Sequence, residues 1–179
     1  MCREKEIKWF YQKGASKIFP KAWAKFRDAI PETERKDFVS AYYKRLTGDD
    51  KQEQLDAAWA WSYWEDSTST IKRKNKLSEG SKQDKEFAVA FARIECHYFI
   101  NNIFYDSRNH ILDNIDKIKD IPAFIFHGRY DMVCPVESAF ELHAAWPGSQ
   151  LKVLEGSGHS LFEPEITEYA VSLMDGLRN

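Results

Sequence analysis

At 179 residues, of which 43% are hydrophobic and 15% aromatic, the chain has material for one substantial core. A formal net charge of -2 provides no field that would draw nucleic acid or an anionic membrane. Three scattered cysteines, Cys2, Cys96 and Cys134, make no disulfide framework, no apolar run reaches membrane-spanning length, and Met1 leads into CREKE rather than a basic and then apolar leader, so a cytoplasmic protein is expected.

The amino-terminal pattern is helical. Residues 2–14 carry Ile7, Phe10 and Tyr11 at helical spacing, with Gly14 placed to end the helix. Phe19-Pro20 breaks the pattern, and residues 22–29 predict a short helix with Trp23 and Phe26 on one side. After a second boundary at Ile30-Pro31-Glu32, residues 34–46 predict an amphipathic helix with Phe38, Tyr42 and Leu46 on one stripe. Residues 50–66 predict another, in which Trp59, Trp61 and Trp64 crowd six positions and the alanines between them permit close helix packing. Glu65 fits that packed face poorly, because a carboxylate is costly to bury without a partner.

Residues 67–80 are polar and include the basic run KRKNK at 72–76. Without flanking aromatics or a further basic helix, the run predicts a solvated loop, and the stretch up to Lys85 reads as a mobile connection. Residues 87–103 predict a helix apolar at nearly every position and therefore buried on most sides. Glu95 shares a stripe with Phe91 and Phe99, one turn either way. A carboxylate there requires a partner, either Arg93 or a cation from a ligand. Cys96 and His97 stand side by side, yet no other residue has zinc-ligand spacing, so no metal is expected.

Ile111, Ile115 and Ile118 make a short amphipathic return before the most informative stretch. Residues 123–127 are an apolar run closed by Gly128, as expected of a central parallel strand covered on both faces. Asp131 falls just beyond its carboxyl end. Pro135 and Glu137 suit the first turn of a helix whose Val136, Ala139, Phe140, His143 and Trp146 recur at threes and fours until Pro147-Gly148. Residues 151–154 predict a second strand, which leads into EGSGHS with His159 at the tip. A terminal helix carrying Ile166, Tyr169, Ala170, Leu173 and Leu177 should cover the sheet beneath that loop.

The expected fold class is therefore α/β. Two parallel strands that each end in a loop with one titratable residue bring those loops together at the carboxyl edge, where open α/β folds build their sites. Asp131 followed by His159 has the chain order of the second and third members of a Ser, Asp, His hydrolase triad. An aspartate after a strand is also a common capping residue, and many histidines in glycine-rich loops do nothing; the conjunction is what favours catalysis. His127 reads as a packed residue, or as one supporting the site from behind, rather than as a catalyst, Arg129 and Tyr130 as residues that fix the loop, and Cys134 as a neighbouring thiol rather than a nucleophile.

HGRYDMVCP, followed by SAFELHAAWP and GSGHSLFEP, closely resembles the end of the prolyl aminopeptidases, or proline iminopeptidases, of the α/β-hydrolase superfamily. CREKEIKWFYQKGAS, VSAYYKRLT, AWAWSYWEDSTST and FARIECHYF look like the helical cap of the same family, so the resemblance covers essentially the whole chain. It implies a helical cap over residues 1–105 and the last strands and helices of an α/β-hydrolase catalytic domain over residues 106–179. It implies a serine exopeptidase that releases N-terminal proline from small peptides, with no cofactor, metal, nucleic-acid or membrane partner. Asp131 and His159 match the acid and base, and Glu65 and Glu95 match the two acids that grip the substrate's secondary ammonium group. Fixed anions of this kind can measure the distance from a free amino terminus to the scissile carbonyl. Because proline also presents a flat apolar ring, Trp61, Trp64, Tyr98 and Phe99 are candidates for the pocket wall.

No G-x-S-x-G occurs in the sequence, nor an HGG-type oxyanion segment ahead of the helices. In the resembled family both come before the cap, so the expectation is a carboxyl-terminal part that lacks the nucleophile, is inactive alone and needs the missing amino-terminal part of the catalytic domain. Two strands with open edges also predict low stability. Two other readings stand beside this one: a non-catalytic protein that binds or scaffolds proline-bearing ends, and another capped α/β-hydrolase of the esterase or epoxide hydrolase type.

Overall fold

A computed structural model describes residues 2–71 and 82–178, so the basic run at 72–76 and most of the connection expected around it lie outside the described residues. The chain divides into two compact units. A helical unit comprises residues 2–68 and 82–108, and a sheet unit comprises residues 69–71 and 109–178.

In the helical unit, α1 (Glu4–Tyr11) carries Glu4 and Glu6 in its first turn, where the unpaired backbone N–H groups favour negative charge. It ends before Gly14, which serves close approach rather than capping: a Cβ there would stand 2.4 Å from the Trp9 ring. Helix α2 (Pro20–Asp28) begins on a proline, whose missing N–H has no helical partner at that position anyway. Helix α3 (Phe38–Thr47) starts later than its periodicity suggests, because Asp37 caps it by accepting the Ser40 amide at 3.1 Å. Glu32–Glu34 instead forms a separate 3-10 turn. Helix α4 (Lys51–Thr68) is capped by Asp50, which accepts the Gln52 and Glu53 amides at 2.8 and 3.1 Å.

Helix α5 (Lys82–Ile100) packs on α3 and α4 through a stripe of small residues, Ala88, Ala92 and Cys96. The rings of Phe26, Tyr42, Trp61 and Trp64 are wholly buried and fill the core. This corrects the expectation of an α5 buried on most sides: Phe87, Ile94 and Tyr98 are exposed. Small side chains at four-residue spacing draw one face of a helix close to its neighbours and leave the opposite face outside, however apolar it is. Helix α5 also ends sooner than expected, because Asn102, Ile103 and Phe104 adopt left-handed backbone with φ of 51°, 57° and 60°. That conformation costs an L-residue about 1–2 kcal/mol.

In the sheet unit, α6 (His110–Asp113) and a 3-10 turn at Ile115–Lys117 occupy the amphipathic return. Strands β1 (Ala123–Gly128) and β2 (Ser149–Leu154) pair in parallel, with Ala123 opposite Ser149 and Gly128 opposite Leu154. Helix α7 (Glu137–Ala145) makes the crossover that a parallel pair requires. Helix α8 (Pro164–Arg178) packs on β1, its Tyr169 ring 5.6 Å from Phe126. Strand β1 is half-buried along most of its length rather than covered on both faces, because among the described residues the sheet has two strands and only one edge of β1 is paired. Phe140 is likewise exposed rather than packed; Ser138 and Ala139 form the buried face of α7.

Candidate functional site

The two strands end side by side, and backbone hydrogen bonds tie together the loops that follow. The Arg129 amide donates to the Leu154 carbonyl and the Tyr130 amide to the Ser157 carbonyl, both at 2.9 Å. The Arg129 side chain grips Glu155 in a bidentate pair at 3.0 and 2.9 Å. From the first turn of α8, Glu165 Oε2 accepts from the Gly156 amide at 2.9 Å and the Ser157 hydroxyl at 2.8 Å. Ser157 is wholly buried and its hydroxyl is committed to that carboxylate. The His159 and Ser160 amides both donate to the Ser69 carbonyl, at 3.1 and 2.9 Å. The histidine loop is thus held from three directions.

Asp131 uses both carboxylate oxygens. Its Oδ1 accepts the Val133 and Cys134 amides at 3.0 and 2.7 Å, a tight turn that fixes the side chain to its own loop. Its Oδ2 lies 3.0 Å from His159 Nδ1 and 3.2 Å from His127 Nε2. Burial pushes the Asp131 carboxyl up, but the hydrogen bonds from His127 and His159, with the backbone amide, more than offset this and hold it down at about 2. The hydrogen bond to Asp131 raises His127 above its ordinary value against the opposing effect of burial. Facing an ionised acceptor, His159 Nδ1 must carry a proton, so Nε2 of the neutral ring is bare. The side chain is 39% exposed, and Nε2 can take a proton from a hydroxyl brought to it.

In the helical unit, a stacked ring pair holds two carboxylates. Tyr11 lies on Trp61 with centroids 4.3 Å apart and planes 19° from parallel. The Tyr11 hydroxyl donates to Glu65, which is 7% exposed, and the Trp61 indole N–H donates to Glu95 Oε2 at 2.8 Å. Burial first, and then the charges of Glu65 and Glu95, push the Tyr11 phenol well above its ordinary value, so it stays protonated and donates. Arg93, considered as the partner of Glu95, is exposed and forms no ion pair with it; two residues apart on a helix, their side chains do not share a face.

The four candidate wall residues separate. Trp61 is one ring of the pair that holds the carboxylates, and Phe99 stands beside it, 5.3 Å from Tyr11 and 6.4 Å from Trp61. Trp64 packs into the core at 5.1 Å from Phe10 and 5.3 Å from Trp23. Tyr98 is exposed and meets Phe104 at 5.4 Å. Cys96 is buried and His97 exposed, so adjacency in sequence does not put them on one face. Among the described residues no three histidine, cysteine or acidic side chains gather as a metal would require.

Sequence reasoning missed Tyr11, whose helical spacing is typical of a core ring and does not reveal that its hydroxyl reaches a residue in α4. His127, expected as a packed residue or one supporting the site from behind, reaches Asp131 four residues on across a tight turn. Cys134 takes part through its backbone, the amide donating to Asp131 and the carbonyl accepting from His127 at 2.8 Å.

The family of the alpha/beta hydrolase fold matches residues 12–165. The proline iminopeptidase of Xanthomonas citri is 48% identical over 98% of this chain and 56% of its own length. That of Arabidopsis thaliana is 49% identical over 93% of this chain and 44% of its own, and that of Neisseria gonorrhoeae 35% identical over 99% and 56%. The chain spans about half the length of the curated relatives it matches. An esterase from Exiguobacterium antarcticum superposes with a TM-score of 0.49 and 22% identity over 86% of this chain and 52% of that one. With the family match covering most of its residues, the chain belongs to the alpha/beta hydrolase fold family, and proline iminopeptidases are among its relatives.

Proposed function

We propose that this chain carries the acid and base of a serine hydrolase that releases N-terminal proline from small peptides. The observation that carries the reading is the 3.0 Å contact between Asp131 Oδ2 and the Nδ1 of a half-exposed His159 on adjacent loops at the carboxyl ends of two parallel strands. In this scheme His159 Nε2 takes the proton of a serine hydroxyl as the serine attacks the prolyl carbonyl, and then delivers it to the leaving amine. Asp131 keeps the ring in the right tautomer and stabilises the imidazolium without itself becoming protonated. In this scheme the serine and the oxyanion donors come from outside these 179 residues, in keeping with the absence of G-x-S-x-G from the sequence.

Residues 1–105 serve as the cap and residues 106–179 as part of the catalytic domain. Glu65 and Glu95 take the proline ammonium, with Trp61 and Phe99 beside them as wall. The relatives named proline iminopeptidase support that choice of substrate. A cytoplasmic setting belongs to the same proposal and is supported by three cysteines of which none forms a disulfide. No helix among the described residues is long and apolar enough to cross a membrane.

The test is hydrolysis of prolyl-naphthylamide by the 179-residue chain and by the same chain joined to the remaining segment of the Xanthomonas citri relative. No release is expected from the chain alone, and release from the joined protein, abolished by H159A. Turnover by the chain alone, abolished by H159A, would place a nucleophile inside it and overturn the scheme. A joined protein active on aryl esters but not on prolyl substrates would keep the hydrolase and discard the proline specificity.

A further inference from the structure

His127 occupies the last position of β1 before Gly128 and has no part in the scheme above. Its Nε2 faces two atoms that can only accept, the Cys134 carbonyl oxygen at 2.8 Å and Asp131 Oδ2 at 3.2 Å. The same carboxylate oxygen lies 3.0 Å from His159 Nδ1. We propose that His127 is a positioning residue for the acid–base pair, donating through an Nε2–H anchored on the Cys134 carbonyl to the Asp131 oxygen that holds His159. The proposal rests on the reading of Asp131 and His159 as acid and base.

Two backbone amides hold Asp131 Oδ1 and so oppose rotation of the carboxylate about its Cβ–Cγ bond, which would carry both oxygens with it. The two imidazoles hold Oδ2 from the other side, so the carboxylate is fixed at both oxygens. His127 is the better anchored of the two: it extends from a paired strand, its side chain is 20% exposed against 39% for His159, and its Nε2 is also tied to a carbonyl. A second donor on Oδ2 spreads the negative charge, so Asp131 orients His159 without drawing the Nδ1 proton across.

The geometry also dictates opposite tautomers on one carboxylate. A nitrogen aimed at a carbonyl and a carboxylate must carry hydrogen, so neutral His127 is protonated at Nε2 and neutral His159 at Nδ1. A histidine that merely filled space at the end of β1 would have no such constraint, and the titration of Asp131 would not depend on its N–H.

Ring 15N NMR of the 179-residue chain reads both tautomers, and 13C NMR of its carboxyl groups reads the Asp131 titration. In the wild type, His127 should show a protonated Nε2 and His159 a protonated Nδ1. H127L keeps apolar bulk but removes the donor, so His159 should become a mixture of tautomers and the Asp131 midpoint should rise by on the order of one pH unit. H127Q retains an N–H near the place of Nε2 and should keep both close to wild type. Protonation of His127 at Nδ1, an H127L protein with both signals unchanged, or an H127Q protein displaced as far as H127L would each overturn the proposal. If H127L does not fold, the wild-type His127 tautomer and the H127Q titration decide. Failure of the underlying acid–base reading has its own signature, a His159 protonated at Nε2 in the wild type.

Discussion

A Cβ placed on Gly128 would stand 2.0 Å from the carbonyl oxygen of Gly158 and 2.6 Å from that of Ser157. The end of β1 therefore runs into the histidine loop at backbone contact, and this closeness puts Asp131, a few residues on, within reach of His159. Gly128 does not have positive φ, so the demand for glycine is steric. In G128A no rotamer change can relieve a clash with two carbonyls. Overpacking of this kind costs about 1–3 kcal/mol, and the urea midpoint should fall accordingly. The His159 ring resonances should move at the same time; a G128A protein with wild-type stability and wild-type His159 signals would contradict this geometry.

Asp131 should be the main contributor to the acid side of the stability profile, being the buried member among the carboxylates whose folded values are lowered. Its folded value of about 2 lies below the ordinary 3.8, so it contributes stability that is present above 3.8 and lost as pH falls toward 2. For a largely buried group the linkage is on the order of 2 kcal/mol. His127 has the opposite sign: its folded value is raised above 6.5, so its contribution is complete below 6.5 and disappears as pH rises through the folded value. Denaturant midpoints measured across pH for the wild type and D131N should show both slopes in the former, and in the latter a shallower acid slope, left to Glu4, Asp28, Glu34 and Glu155, with the His127 slope reduced. Equal acid slopes in the two proteins would assign the effect to other carboxylates.

Tyr11 and Trp61 should behave as a coupled pair. Y11F removes one donor from the buried Glu65, and W61F removes one from Glu95. Each loss should cost about 1.5–3 kcal/mol of folding stability, the range for a hydrogen bond to a charged group. Because the rings stack, the double variant should depart from additivity by roughly 0.5 kcal/mol or more in a thermodynamic cycle. Strict additivity would mean that the two carboxylates are held independently.

The specificity role of the glutamates is best read in the joined, active protein. E65Q and E95Q each preserve shape while removing a charge, and loss of a desolvated ammonium contact is worth about 2–5 kcal/mol in kcat/KM for prolyl substrates. A small neutral aryl ester has no ammonium to hold and should be spared. R93A should change stability by no more than about 0.5 kcal/mol, since Arg93 is exposed and does not pair with Glu95. Equal losses on both substrates would take Glu65 and Glu95 out of the specificity site.

Local patterns that depend on neighbouring residues were legible in the chain itself: the apolar run that became β1, the helix and short strand that follow it, and the loops carrying Asp131 and His159. These follow from strand and helix periodicity, glycine and proline punctuation, and the rule that parallel strands deliver their following loops to one edge. The likeness of HGRYDMVCP and its companions to a known family was equally available without coordinates. Periodicity also placed Glu95 with Phe99, but it could not name the partner of a charge. Arg93 was nearer in sequence, whereas the indole of Trp61 in α4 was nearer in space.

Tertiary structure alone decided that Asp131 serves two histidines, that Tyr11 and Trp61 tie Glu65 and Glu95 to one stacked pair, and that α5 buries its alanines while Phe87 and Ile94 face outward. Each outcome turns on distances between segments far apart in the chain, or on which of two apolar faces has a neighbour to cover it. A one-dimensional pattern specifies which side chains share a face. Packing determines what that face meets, and only then does a hydrogen-bonding atom acquire its partner.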